Sequence, residues 1–530
     1  MRSLLCLALM LFSLHAFGTS GRTFYVDSAS GDDQKAGTSE SAAWKTLAKA
    51  SAETYQPGDH LLLKKGCTFS DPLLLKGSGA EDSPIAIDAY GSGEMPKIDS
   101  TGQYVISLEH CNYIDVNNLE ITSDGKKCMT AIFFTNAKQD TSHHLHLKNL
   151  YIHDIFSQPK ASAGQPQQTK GSGNAIRIQP MGKLDDVRIE NCRLERIAEI
   201  GMSIYGDRTI GPPMISNVQV LDNQLEDIGG PGIQPTSVAH MVVRGNVTDK
   251  TGSSLDPRMR ARGSGIWPNC SEDILIEKNS FLHARGVGDS CGAHIDFNCK
   301  DVIIQYNLSV DNEGGFVEIL GRDYNCCYRY NISVNDGART KGVNQAMMDG
   351  KTLWLSCFTK IGQREGPFNS YIYNNTIYVK DSIVSKYSIT RATDGALVAN
   401  NIFYILGKTE SVGDDQDLKR LPEGTLAKNV MVENNLYLRA DTLPKNLPAQ
   451  QGGPIADKKP LVGDPKFKKP GGFDPADYIP TNVEVVKDKG TVIQPLPGDK
   501  VGVKQGLQVK SDFFGNPIEG APDLGAVEVE

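Results

Sequence analysis

Asp296 and Glu318 are the side chains best placed to do chemistry. Each is the middle residue of an apolar–carboxylate–apolar triplet, Ile295-Asp296-Phe297 and Val317-Glu318-Ile319. Four earlier triplets have the same start: Ile178-Gln179-Pro180, Ile204-Tyr205-Gly206, Ile233-Gln234-Pro235 and Ile266-Trp267-Pro268. If the branched residue of an extended strand points into a core, the next points out. Aligned in this way, the outward column reads Gln179, Tyr205, Gln234, Trp267, Asp296, Glu318. Amides bond sugar hydroxyls, aromatic faces stack on sugar rings, and paired carboxylates cleave glycosidic bonds. On neighbouring strands about 4.8 Å apart, the two carboxyl groups would approach to roughly 5 Å. Their repulsion would raise one of them and leave it a proton to donate near neutral pH. A solvated face rich in acids is the plain alternative.

Reactive side chains crowd around this pair: His283, Arg285, Asp289, His294, Asp311, Glu313, Arg322 and Asp323. His294, two residues before Asp296, points to the same face. Residues 258–262 and the following Gly263-Ser264-Gly265 would overhang a groove beside Trp267. The expected site therefore has Asp296 and Glu318 as catalytic groups. His294, Trp267, Gln234, Tyr205, Arg285, Asp289 and Arg322 are its expected substrate contacts. No metal ligand set has a convincing spacing, and no cofactor is expected; calcium is the one ion the acidic cluster could hold.

What must position these groups is a repeat. Eight times a branched or aromatic residue is followed three positions on by asparagine: Val220/Asn223, Val243/Asn246, Ile276/Asn279, Ile304/Asn307, Tyr328/Asn331, Ile372/Asn375, Val398/Asn401 and Val432/Asn435. Successive asparagines lie 23 to 44 residues apart, yet the local pattern of period two holds. Units of this kind bury their apolar faces only by stacking. The expected fold is all-β: a right-handed parallel β-helix whose coils differ in length because insertions loop out between constant strands. The asparagines would form an internal amide ladder and take the left-handed conformation of a sharp turn. After Val116, Leu147 and Ile189 the amide moves one residue earlier, to Asn118, Asn149 and Asn191.

Gly 53 and Pro 27 suit a turn-rich all-β chain, and a solenoid can absorb 530 residues in one body. The net charge of −8 argues against nucleic acid or an anionic membrane as partner. Met1-Arg2 and the apolar run to Phe17 read as a signal peptide over residues 1–18, too short for a membrane span. A secreted or periplasmic monomer acting on a polysaccharide or oligosaccharide is expected. Of 11 cysteines, all but Cys6 would remain after cleavage. Buried free thiols, with Cys270 stacked on Cys299, are favoured over disulfides.

The chain ends carry a family resemblance. Phe24-Tyr25-Val26-Asp27, Gly31-Asp32-Asp33, Gly37-Thr38 and Trp44-Lys45-Thr46-Leu47 are followed by Pro57-Gly58-Asp59. Near the C-terminus stand Gly463-Asp464-Pro465-Lys466-Phe467, Asp512-Phe513-Phe514-Gly515 and Asp523-Leu524-Gly525-Ala526. Together they resemble secreted β-helix polysaccharide-degrading proteins, leaning towards glycoside hydrolases of the family 141 kind. That resemblance implies a short capping helix, here over residues 42–53, and action on plant polysaccharide; it assigns no catalytic residue. The chain divides into an N-terminal cap with first coils (19–110), the β-helix (111–460) and a tail packed on it (461–530).

A glycoside hydrolase is thus the leading expectation. A polysaccharide lyase is the first rival, with Arg339 or Lys341 as base and calcium on the acids. A non-catalytic glycan-binding solenoid is the second.

Overall fold

The computed structural model describes residues 21–123, 127–158, 173–416 and 421–530. The expected leader, residues 1–18, lies outside them. Each coil lays down three strands in turn, and equivalent strands of successive coils pair in parallel. The first sheet has 14 strands, from Thr23–Val26 to Lys428–Glu433, and the second has 14, from Thr68–Phe69 to Leu461–Val462. Parallel crossovers of this kind wind right-handed. Coils therefore begin at Thr23, within the segment expected to hold the cap.

The repeat residues do what their spacing demands. Val220, Val243, Ile276, Ile304, Tyr328, Ile372, Val398 and Val432 are Cα partners from coil to coil, and all are buried. Beside them the asparagines form one ladder. Each Nδ2 donates to the next Oδ1 at 2.9–3.0 Å, from Asn223 through Asn246, Asn279, Asn307, Asn331, Asn375 and Asn401 to Asn435, and finally to Asp457. The left-handed residue, however, is the one before each asparagine: Asp222, Gly245, Lys278, Tyr306, Tyr330, Asn374, Asn400 and Asn434. The amide's task is bonding, not backbone geometry. In earlier coils Cys192 takes the ladder position, its N–H donating to Asn223 Oδ1. Asn118 and Asn149 form an outer ladder instead, with Asn149 donating to Asn118 at 3.0 Å.

The cap is a six-residue helix, Leu47–Ala52, shorter than expected because Thr46 starts it and Glu53 ends it. Asp33 fixes its entry by accepting from Lys45 N, Thr46 N and Thr46 Oγ1 at 2.8–3.0 Å. Residues 463–530 form no sheet of their own and lie over the outer faces of the first two sheets. Ile493, Leu496, Val503 and Leu507 pack on Tyr371 and Tyr373, while Phe467, Tyr478 and Leu524 pack on Tyr378 and Ile402. Ten cysteines are free and buried. Cys270 sits beside Asn298, 3.9 Å from its Nδ2, rather than on Cys299, because the register between these coils falls one residue short of the expected alignment.

Candidate active site

The third face of the solenoid is where the regular pattern fails. Its sheet is in two pieces: six strands ending at Ile233–Thr236, and four resuming at Gly315–Ile319. Two coils lie between them, joined by isolated bridges: Ile233 to Ile266, Thr236 to Asn269, Ile266 to Ala293, Cys291 to Gly315, and Ile295 to Ile319. Those coils carry Trp267, His294 and Asp296.

The bridges correct the expected column. Ile295 pairs with Ile319, not Val317, so His294 stands beside Glu318 and Asp296 beside Leu320. Ser203 pairs with Gln234 and Tyr205 with Thr236. Two outward columns therefore exist. One reads Ser203, Gln234, Trp267, His294, Glu318, Trp354; the other reads Tyr205, Thr236, Asn269, Asp296. A shift of two residues keeps every side chain on its face, so alternation alone does not detect it. Asp296 and Glu318 become diagonal neighbours, with backbones roughly 8 Å apart by strand geometry, not the 5 Å of direct opposition.

Asp296 and Glu318 are both buried, as are His294 and Gln234. The Asp296 Oδ1 accepts the Phe297 N–H at 3.0 Å. Burial pushes its carboxyl up to about 6, the charges of Asp289 and Glu318 add to this, and His294 opposes it. Asp289 differs: it is paired with Arg262 Nε at 2.9 Å. It also sits, with Ser290, in two consecutive left-handed conformations, φ 55° and 72°. Glu318 Oε2 accepts the Cys291 S–H at 3.1 Å, and burial pushes that thiol well above its ordinary value. His294 Nδ1 is 3.1 Å from Ser264 Oγ, and its ring meets the Trp267 ring edge at 5.2 Å. Cys291, His294 and Glu318 bring one donor atom each within 4.8 Å of one another, a set that could hold a zinc-class ion.

Trp354 is the residue the sequence column missed. It is 1 % exposed, beside Glu318, with Lys351 Nζ 3.8 Å above its ring. Its signal was present: Leu353-Trp354-Leu355 repeats the triplet one coil on. Neither Trp267 Nε1 nor Trp354 Nε1, both buried, has a hydrogen-bond partner. Cys291 was also missed, since only the loop path brings it in; Arg262 and Ser264 lie in the stretch expected to overhang Trp267.

The remaining expected contacts separate. Arg285 pairs with Asp311 at 2.7 Å and lines a cavity of about 480 Å³ with Arg339 and Val343, at the N-terminal side of the strands. Arg322 bonds Asn298 at 3.0 Å and pairs with Glu365, lining a cavity of about 150 Å³ at the opposite side. The two arginines stand at opposite ends of the third-face strands and do not meet. The bases a lyase would need are engaged: Arg339 donates to Met348 O and Asp289 O, and Lys341 pairs with Asp415 at 2.8 Å.

Comparison with known proteins agrees with this architecture. The family model described as "Right handed beta helix region" matches residues 131–332. The chain is a right-handed parallel β-helix. It is similar to the lacto-N-biosidase of Bifidobacterium longum subsp. longum, 26% identical over 621 aligned positions covering 96% of this chain and 36% of that protein. It thus spans about a third of that relative's length. Among solved structures, the GH136 lacto-N-biosidase from Eubacterium ramulus superposes with a TM-score of 0.52 at 20% identity, covering 83% of this chain and 68% of the other. XylC in complex with xylose superposes with a TM-score of 0.50 at 10% identity, covering 96% and 98%. These structures share the fold. Among the described residues no helix is long and apolar enough to cross a membrane.

Proposed function

We propose that this chain is an exported glycoside hydrolase that cleaves a complex carbohydrate in the groove of the broken third sheet. The observation that carries the reading is the contrast between two aspartates of one coil. Asp296 is buried, has no ion pair among the described residues, and is raised to about 6. Asp289, whose charge acts on it, has a guanidinium partner in Arg262. Two carboxylates in unlike environments are how one site holds an acid and a base together. Asp296 would protonate the departing glycosidic oxygen, and Asp289 would serve as nucleophile or base. Glu318, the other carboxylate of the sequence reading, would orient Cys291 and His294. Trp267 is part-exposed and offers a ring face to a sugar, while Trp354, buried beneath Lys351, backs the site.

The similarity to lacto-N-biosidases makes a glycoside of lacto-N-biose the first substrate to try, ahead of the plant polysaccharides suggested by the family 141 likeness. The test is a panel of such glycosides with neutral and uronic-acid polysaccharides, following reducing ends and unsaturated-product absorbance together. Hydrolysis gives reducing ends alone, and activity should fall as pH rises through about 6, where Asp296 loses its proton. Asp296→Asn should lose about 100-fold or more, the usual worth of general acid catalysis. Unsaturated products would refute the hydrolase. Glycan binding without turnover would make the chain a binding solenoid. Loss in Glu318→Gln but not Asp289→Asn would return the partner role to Glu318.

A further inference from the structure

On the outer face of the first sheet, far along the solenoid from the groove, three successive coils bring two histidines between two aspartates. His146 is the Cα partner of Asp115 on the coil before. His144 and Asp186 share a left-handed bulge position, φ 57° and 59°, on that coil and the next. The four side chains form a square. His144 Nε2 lies 3.1 Å and His146 Nδ1 3.7 Å from Asp115 Oδ1. His144 Nδ1 lies 3.3 Å and His146 Nε2 3.1 Å from Asp186 Oδ2. The imidazoles stack, centroids 3.6 Å apart and planes at 29°.

Proton counting makes this arrangement informative. A neutral imidazole has one N–H and one bare lone pair, and an ionised carboxylate has only acceptors. Two neutral rings protonated at Nε2 satisfy the two hydrogen bonds, His144 to Asp115 and His146 to Asp186, and leave both Nδ1 lone pairs against carboxylate oxygens at 3.3 and 3.7 Å. Protonating both rings would stack two cations face to face. A divalent ion on one side removes the conflict: it takes one nitrogen from each ring and an aspartate oxygen, and the other two nitrogens keep their protons.

We propose that Asp115, His144 and His146 bind a divalent transition-metal ion of the zinc class, with Asp186 as the carboxylate that orients both rings. Asp115 Oδ1, His144 Nε2 and His146 Nδ1 are the metal ligands; these three residues can bring one ligand atom each within 4.8 Å of one another. Zinc–nitrogen and zinc–oxygen bonds of about 2.0–2.1 Å in a tetrahedron put ligand atoms roughly 3.3 Å apart, close to the spacing found. His144 Nδ1–H and His146 Nε2–H then both donate to Asp186, the carboxylate–histidine–metal relay that fixes ring orientation. Two imidazoles and a carboxylate suit zinc, copper or nickel better than calcium. The ligands are part-exposed, leaving a side open for water. The ion would tie neighbouring coils together.

The experiment is calorimetric titration of the full chain with zinc chloride near neutral pH, with thermal melts in parallel. The variants are Asp115→Asn, His146→Gln, Asp186→Asn and Cys291→Ser. One site should appear in the wild type and persist in Cys291→Ser, which separates it from the buried Cys291, His294 and Glu318 set. Asp186→Asn should bind about 10- to 100-fold more weakly, and loss of a direct ligand in Asp115→Asn or His146→Gln should cost at least that. Zinc should raise the Tm of the wild type and not of His146→Gln, whose zinc-free melt reports that it folds. Zinc uptake by His146→Gln and Asp115→Asn equal to the wild type would overturn the proposal, as would a wild type that binds none.

Discussion

Replacing Asp296 with asparagine should stabilise this protein at alkaline pH while removing its proposed activity. Burial lifts the Asp296 carboxyl from 3.8 to about 6. The folded chain therefore holds that proton more tightly than the unfolded chain does, and protonation favours folding. The gain is full below about pH 3.8 and has vanished once the pH has risen past about 6. At 1.36 kcal/mol per pH unit, the difference between the two values corresponds to about 3 kcal/mol of cost borne by the ionised, buried side chain at pH 8. About 2 kcal/mol of it should appear between pH 8 and pH 4.5, because the unfolded carboxyl starts to take up its proton near the lower limit. Asparagine carries no charge, matches the shape and still accepts the Phe297 N–H. The variant should therefore melt higher at pH 8, by roughly 3 °C for a chain of this length, and lose most of that advantage at pH 4.5. Thermal midpoints of wild type and variant at the two pH values are the assay. A stability difference that does not change with pH would refute the reasoning, because only the charge of Asp296 makes it pH-dependent. A larger loss at pH 8 than at pH 4.5 would mean that a partner pays for the buried charge.

Three further outcomes follow from other parts of the molecule. Asn307→Ala removes amide bonds to Ile276 O, Gln305 O and Asn331 and leaves Asn279 without its acceptor, so it should cost several kcal/mol, about 3–5, and sharply reduce the Tm; Asn149→Ala, in the outer ladder, should cost under about 1 kcal/mol. Because the ten described cysteines are free and buried, a reductant should leave the Tm unchanged, and a thiol reagent should react with them only after denaturation. Trp267→Ala should weaken carbohydrate binding at least about tenfold, the order expected for losing an aromatic contact at the centre of a binding surface, and isothermal titration with a bound product would read it.

How much of this was legible depends on which interactions repeat. The first-sheet register could be read coil by coil because the ladder asparagine is a fixed mark: each of the first seven pairs with the next. The third face has no such mark. Its strands follow turns of unequal length, and Ala293-His294-Ile295-Asp296-Phe297 offers two equally good alignments on Val317-Glu318-Ile319. The choice between them is made by Cys291 meeting Gly315 and Ile295 meeting Ile319. Those contacts depend on where residues 285–291 turn, which alternation does not encode. Trp354 escaped because the column was ended at the second carboxylate, although its triplet continues the pattern.

The same irregularity that hid the register accounts for the site. Where the third sheet is whole, each strand bonds to two neighbours and its side chains stand in regular rows. At Trp267 and at His294 to Asp296 the ladders shorten to isolated bridges, although Trp267 N still donates to Ile233 O, His294 N to Ile266 O and Asp296 N to Pro268 O, so loop demands weigh more on the backbone there. Gly265 and Gly292 permit this, since a Cβ on Gly265 would lie 2.4 Å from Gly292 O, and one on Gly292 would lie 2.6 Å from Ser309 Oγ. Close approach of these two coils carries Ser264 to His294 and Cys291 to Glu318. It also buries Asp296 without a cation, a local cost that regular stacking would not impose and that the ladder on the opposite side of the coil can absorb. A solenoid is suited to such a division, because each coil's stability is set mainly by its neighbours. The cost of a catalytic coil is then carried by the coils on either side, whose asparagine ladder runs unbroken past it.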